Sequence, residues 1–437
     1  MSSLRDYQQR TIDQLYAWFE AGNQGNPCLV LPTGAGKSHI VAALCKDALQ
    51  SWPETRILML THIKELIAQN AEKMRYHWPN APLGIYSAGL RSRDIGEPIT
   101  FAGIQSIRTK AKQLGHIDLC IIDECHLVSH KDEGGYRTLL ADLSAINPNL
   151  RVVGLTATPY RLGHGYITDK PAIFDALIEP VSIEELIYKG YLSSLRSKLT
   201  HTQYDVSGVH KKGGEYIEAE LQAAVDTSDK NAKVVQEIIQ LSGERKSWLI
   251  FCAGVAHAHN VCAALVAQGI VAECVTGDTP SRERDRMLQD FKAGRIKALT
   301  NANVLTTGFD APGIDLIAML RPTMSPGLYV QMAGRGLRIA PNKTDCLVLD
   351  FAGVVEQHGP ITNVRPPSRK GDKVGEAPVK VCDHCQEICH LSVRVCPACG
   401  TEFPEPVKPP LKLSNLDIMG IEGIDLEVSS WTWRKHI

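Results

Sequence analysis

Long apolar runs are missing from this chain of 437 residues. None could span a bilayer, which argues against a helical membrane protein and against a membrane partner. The opening stretch MSSLRDYQQR lacks the apolar core of a secretory signal. An excess of either charge is missing too: 47 Lys and Arg stand against 48 Asp and Glu, a net charge of −1. Any nucleic-acid surface must then be a local groove on a protein that is not globally basic. A paired disulfide framework is also absent, because the 13 cysteines are odd in number. Cys28, Cys45, Cys120, Cys125, Cys252, Cys262, Cys274 and Cys346 lie in or beside apolar segments and read as reduced core thiols. Four more are spaced for a metal. The expectation is a reducing, cytoplasmic setting. At 44% hydrophobic and 22% charged residues the composition is globular, and the length suggests about two to four domains.

The organising stretch runs from Leu29 to Ser38. The general phosphate-loop pattern lacks its first glycine here, since Leu31 stands in that place. What remains is an apolar strand, Pro32-Thr33-Gly34-Ala35-Gly36, then Lys37-Ser38 and an apolar helical pattern. Glycines let the backbone curl so that its N–H groups face an anion, and a helix N-terminus adds partial positive charge. Thr33, Gly34, Ala35, Gly36, Lys37 and Ser38 would cradle ATP. Lys37 would reach the β- and γ-phosphates and Ser38 would ligate Mg²⁺. Upstream, Gln8 offers a donor and an acceptor side by side and could read adenine.

Further apolar strands follow at 56–61, 99–106 and 117–122. The last ends in Asp123-Glu124-Cys125-His126. Carboxylates at the end of a parallel strand face the same crevice as the phosphate loop. Asp123 would hold Mg²⁺, directly or through water, and Glu124 would polarise the attacking water. Thr156 and Thr158 close another strand, where they are either turn residues or a link to a second surface. Residues 1–180 form the first lobe on this reading, and 181–230 a connection with an insertion that is helical over 181–195.

Alternating strands and helices restart at Ser247, which predicts a second parallel sheet over 231–358. Ser281 is expected to cap the helix that follows it. Gln331 to Arg338 reads as a helix, with Arg335 and Arg338 on one face, able to clamp a phosphate. Gly334 and Gly336 within a helix each cost roughly 1 kcal/mol against Ala. Close approach of another element would account for them. Residues 359–380 form a basic, proline-rich linker. Cys382, Cys385, Cys396 and Cys399 make two CxxC knuckles within 381–404, a Zn²⁺ signal. Cys389, His384 and His390 are spare ligand candidates. Residues 405–437 read as a tail that begins a further domain, with an alternating segment around Trp431 and Trp433.

Five stretches in order, PTGAGKS at 32–38, LTHIKELIAQ at 60–69, FAGIQS at 101–106, DECH at 123–126 and TATP at 156–159, resemble superfamily 2 helicases. LTTGFDAP and QMAGRGLR extend the resemblance, and the cysteine-rich end makes the chain similar to the RadD subgroup of bacterial DNA-repair helicase-like ATPases. The resemblance implies an α/β fold of two tandem RecA-like parallel-sheet lobes with an ATP cleft between them, plus a small zinc ribbon. It implies an ATPase acting on DNA, single-stranded or branched, among repair and recombination proteins, nucleoid-associated if bacterial. It assigns adenine reading to Gln8, nucleotide contact to Gly308 and Asp310, the nucleic-acid backbone to Thr306 and Thr307, and catalytic roles to Lys37, Asp123, Glu124, Gln331, Arg335 and Arg338. An RNA helicase, a restriction-complex motor and an ATP-switched nucleic-acid sensor or scaffold are the alternatives.

Overall fold

The computed structural model describes residues 4–62, 64–128, 134–162, 164–306, 308–364 and 379–404. The first lobe contains β1 (Pro27–Val30), β2 (Ile57–Thr61), β3 (Leu83–Ser87), β4 (Ser92–Arg93), β5 (Ile99–Gly103), β6 (Leu119–Asp123) and β7 (Arg151–Thr156). A hairpin of β8 (Tyr160–Arg161) and β9 (Gly165–Tyr166) and the strand β10 (Ala176–Ile178) follow. The sheet order is β10-β1-β7-β6-β2-β5-β3-β4. Its ladders are parallel except β3 with β4. Runs such as Ile57-Leu58-Met59-Leu60 are buried at every position, the pattern of a parallel strand covered on both faces. The helices α1 (Asp6–Glu20), α2 (Lys37–Ser51) and α3 (Lys64–His77) pack one on the next, α1 also on β1 and β10, and α3 also on β2, β3 and β5.

The second lobe is built from β11 (Ser194–Leu199), the small hairpin β12 (Lys211–Lys212) and β13 (Glu215–Tyr216), then β14 (Trp248–Cys252), β15 (Ala272–Val275), β16 (Ala298–Asn301), β17 (Leu316–Leu320) and β18 (Asp345–Asp350). Its parallel sheet has the order β11-β18-β17-β14-β16-β15. A two-stranded ribbon, β19 (Val379–Val381) and β20 (Ile388–His390), closes the described chain. The lobes are RecA-like. One buried apolar cluster runs from Leu31 and Ala35 through Leu192 to Leu337 and Cys346, so the two sheets share a core across the cleft. Among the described residues no helix is long and apolar enough to cross a membrane.

The segment 181–230 differs from its reading as a connection. Of the helix expected over 181–195 only Ile183–Tyr188 forms, where the Ser182 hydroxyl accepts the Glu185 N–H at 3.1 Å; two further helices, Glu218–Val225 and the start of Ser228–Ser242, lie later in the segment. It then supplies β11, which pairs with β18 along its whole length. The Ser-Leu-Arg-Ser-Lys-Leu alternation suits an edge strand with one wet face. Ser281 is the first residue of its helix and makes no capping bond; Pro280 holds the cap position. The helix Pro326–Ala333 stops short of both arginines. A Cβ at Gly334 would lie 2.8 Å from Thr33 Cβ, and one at Gly336 would lie 2.6 Å from Cys346 Sγ. Close approach requires both glycines: Thr33 of the first lobe crowds Gly334, and Cys346 and Leu195 of the second lobe's own sheet crowd Gly336.

Gly336→Ala should therefore overpack the seam between this turn and β18. A loss of about 1–3 kcal/mol is expected, read as a lower urea midpoint. Gly277→Ala, with nothing within 4 Å of its Cβ position, should stay within about 0.5 kcal/mol of the parent. Equal midpoints for both variants would contradict the close-approach account.

Candidate active site and metal centre

β1 leads into Pro32 and Thr33, and the chain curls through Gly34 and Gly36 at φ +88° and +75°, backbone that glycine adopts without Cβ strain. α2 starts at Lys37 with Gly36 as its N-cap. Its orphan N–H groups sit at a cavity of about 350 Å³ between the lobes. Thr33, Gly34, Gly36, Lys37, Ser38, Asp123 and Glu124 line it from the first lobe, and Gly308, Asp310, Gln331, Arg335 and Arg338 from the second. The strand ends of both sheets thus bring together nearly every residue singled out in the sequence.

Gln8 and Ala35 are the exceptions. Gln8 Oε1 accepts the Arg5 N–H at 3.0 Å, and Gln8 Nε2 donates to the Ala35 carbonyl at 3.4 Å. The Tyr7 hydroxyl donates to that same carbonyl at 2.8 Å. The amide thus bonds to the phosphate loop, and Gln8 is not among the residues that line the cavity. At this end the cavity instead offers the Arg5 guanidinium stacked 4.2 Å over the Tyr191 ring, both of them lining residues. Neither had been singled out, because an arginine at a helix cap and a lone tyrosine carry no pattern.

Asp123 is buried at the end of β6. Its Oδ2 accepts from Asn70 Nδ2 at 2.8 Å and its Oδ1 from the Glu124 N–H at 3.0 Å. Burial pushes its carboxyl up, the Glu124 carboxylate adds to this, and Lys37 opposes it. A buried carboxylate held in that way is relieved by a cation, so Asp123 with Ser38 fits a Mg²⁺ site. Glu124 itself takes left-handed backbone at φ +49°, which costs a non-glycine residue about 1–2 kcal/mol. Lys37 Nζ donates to the Leu31 carbonyl at 3.5 Å.

His126, which the sequence showed only as the last letter of a motif, is a buried residue that bonds to both lobes. Burial pulls its imidazole down to about 3, so it is neutral. Gln331 Nε2 donates to His126 Nε2 at 3.3 Å, which assigns the ring proton to Nδ1. Nδ1 then donates to Thr156 Oγ1 at 2.8 Å, and Thr156 donates to the Thr158 carbonyl at 3.2 Å. A chain of hydrogen bonds thereby runs from the second lobe into the turn after β7.

Beyond the helix end, Arg335 and Arg338 still converge. Both donate to the Phe309 carbonyl, at 2.5 and 3.0 Å, and Arg335 also donates to the Thr306 carbonyl at 2.5 Å. Arg338 pairs with Asp310 at 2.6 Å. Burial pulls the Arg335 guanidinium down to about 9, and its Nε has no partner.

In the ribbon the ligand atoms of Cys382, Cys385, Cys396 and Cys399 all lie within 4.8 Å of one another. The Sγ atoms of Cys382 and Cys399 are 3.6 Å apart, as are those of Cys385 and Cys396. Four thiolates at ~2.3 Å from one Zn²⁺ would stand about 3.8 Å apart, so the set fits that ion. Among the described residues Cys389, His384 and His390 stay outside the group. The ribbon is docked: Glu387 Oε1 accepts the Ser197 N–H of β11 at 2.9 Å, and Ile388 joins the shared core. Thr307, most of the basic linker (365–378) and the tail (405–437) lie outside the described residues.

Residues 1–161 match the family described as "Type III restriction enzyme, res subunit", and residues 229–340 match "Helicase conserved C-terminal domain". A Saccharomyces cerevisiae protein named as the ATP-dependent helicase IRC3 is 29% identical over 368 residues, 80% of this chain and 51% of that protein. A Schizosaccharomyces pombe protein named as the mitochondrial ATP-dependent helicase irc3 is 30% identical, over 80% of this chain and 57% of its own length. The chain thus spans about half the length of these curated relatives. A fragment of an HsdR subunit of a type I restriction enzyme from Vibrio vulnificus superposes with a TM-score of 0.63 at 21% identity, covering 83% of this chain and 67% of that one.

The metal centre makes its own prediction. The purified chain should carry one Zn²⁺, and Cys385→Ser should lose it and melt at lower temperature, because the ribbon's own core is little more than its thiols. Metal analysis and a melting curve on the same sample check this. Full metal content in Cys385→Ser would remove that residue from the ligand set.

Proposed function

The chain belongs to helicase superfamily 2, and on that premise we propose that it hydrolyses ATP in the inter-lobe cleft to move along, remodel or unwind nucleic acid. Single-stranded or branched DNA is the favoured track, and repair or recombination the setting, on the resemblance to the RadD subgroup. The free cysteines suit the cytoplasm, at the nucleoid in a bacterial cell. One observation carries the reading. A single cavity is lined by the phosphate loop, Asp123 and Glu124 from one lobe and by Arg335 and Arg338 from the other.

The roles follow from the positions. The α2 N-terminus and Lys37 hold the phosphates. Ser38 and Asp123 would hold Mg²⁺, which when bound neutralises charge on the β- and γ-oxygens. Glu124 orients a water and accepts its proton as the oxygen attacks the γ-phosphorus. The bond to the β–γ bridging oxygen breaks, giving ADP and phosphate. Arg335 and Arg338 meet the charge spread over the transferring group. They must first leave the carbonyls of Thr306 and Phe309. The Gln331–His126–Thr156 chain links that movement to the far side of the first lobe.

A second reading, the motor of a restriction complex, is favoured by the family matched over the first lobe and by the likeness to an HsdR fragment. It shares the ATP site and differs in partner.

Phosphate release measured in parallel with single-stranded DNA, duplex DNA, forked DNA and RNA tests the proposal. Stimulation by DNA above RNA is expected, and the reverse order would replace DNA by RNA. Glu124→Gln should still bind nucleotide and lose turnover, and Lys37→Ala should lose both. Arg335→Ala and Arg338→Ala should slow turnover by roughly 10³–10⁵, as arginine fingers do elsewhere. A parent-like rate in Glu124→Gln under saturating nucleic acid would overturn the assignment.

A further inference from the structure

Two residues of α3, Asn70 and Lys73, line the cavity. They are three positions apart and so share a helix face. Asn70 holds Asp123, as described above. Lys73 Nζ lies 4.0 Å from Asp310 Oδ2, across the cleft in the other lobe. The other oxygen of that carboxylate, Oδ1, is bonded to Arg338 at 2.6 Å. One carboxylate of the second lobe therefore faces a finger arginine on its own side and a lysine on the opposite side.

The two contacts are unequal. A charge-assisted N–H···O bond closes to about 2.7–2.9 Å, so the arginine is in contact and the lysine is not. The Lys73 side chain is 40% exposed; burial of the rest pulls its ammonium down, Arg338 and Arg335 add to this, and Asp310 opposes it. When Arg338 leaves Asp310 for a phosphate, that carboxylate, its side chain 46% exposed, loses its ion-pair partner. Closing the cleft by little more than an ångström would put Lys73 on it.

We propose that Lys73 is a positioning residue that takes over Asp310 as the cleft closes and so releases Arg338 to the nucleoside triphosphate. This rests on the ATPase reading above. Lys73 acts through Asp310 and not on the phosphate. The exchange leaves none of these charges unpaired, since the one ion pair Arg338–Asp310 becomes two, Lys73–Asp310 and Arg338–phosphate. The position follows from neither charge pattern nor periodicity, because a lysine on an amphipathic helix ordinarily points to water.

A double-mutant cycle tests it by steady-state phosphate release, with melting curves to check folding. Lys73→Met should lower kcat about tenfold while KM for ATP moves less than about threefold. Lys73→Arg should restore most of the rate. In the Asp310→Asn background, with no carboxylate left to trade, the further change to Lys73→Met should alter kcat by less than about twofold. The same loss in both backgrounds, or a rise in KM alone, would mean direct phosphate contact and overturn the proposal. A Lys73→Met rate within about twofold of the parent would overturn it as well, and Lys73→Gln repeats the comparison with a polar replacement. Absence of turnover in the parent chain would overturn the ATPase reading and this inference with it. Turnover that depends on Lys37 but not on Lys73 would overturn this inference alone.

Discussion

A guanidinium charge buried on carbonyl dipoles governs the cleft. Arg335 is buried, and its two hydrogen bonds both end on backbone oxygens of the second lobe. Taking an ion out of water costs several kcal/mol even after relaxation. Hydrogen bonds from charged groups return about 1.5–3 kcal/mol each. The arginine is held in place, yet its Nε remains without a partner. Only a strong, multiply charged acceptor competes with two carbonyls at once, and a polyphosphate at the α2 N-terminus is such an acceptor. The carboxylates obey the same rule with opposite sign. Asp123 is buried beside Glu124 and needs a cation, which Lys37 supplies only in part.

Much of this was legible in the sequence because the relevant signals are local. Apolar runs buried on both faces mark β2, β6, β14 and β17 without ambiguity. Glycines with positive φ mark the phosphate loop. What escaped was set by tertiary contact. Gln331 to Arg338 looks helical until Gly334 and Gly336 are placed against Thr33 and Cys346. Both arginines reach the cleft from a turn, by a route that spacing alone could not show. β11 hides as a polar alternation, since its hydrogen bonds come from β18, far along the chain. Gln8 has the chemistry to read a base, but the Ala35 carbonyl claims its amide. Asn70 and Lys73 gain meaning only from Asp123 and Asp310.

The ribbon changes its meaning once its place is known. Read as sequence, it hangs on a basic leash beyond the motor. In the fold it covers the outer edge of the second sheet. Unpaired strand edges invite unwanted pairing, and here Glu387 occupies the Ser197 N–H while Lys198 and Glu387 form a single antiparallel bridge. The residue just before that edge strand reaches the arginine turn. The Ser193 N–H donates to the Leu337 carbonyl at 2.7 Å, between the two arginines. The four-cysteine ribbon, the edge strand and the arginine turn are therefore consecutive layers of one lobe.

The central claim is that Arg335 and Arg338 exchange backbone carbonyls for the γ-phosphate when the lobes close. The most direct measurement is an experimental structure of Glu124→Gln with ATP and Mg²⁺ bound. The account predicts both guanidinium groups within about 3 Å of γ-phosphate oxygens and detached from the carbonyls of Thr306 and Phe309. A bound triphosphate with both arginines still seated on those carbonyls would contradict it.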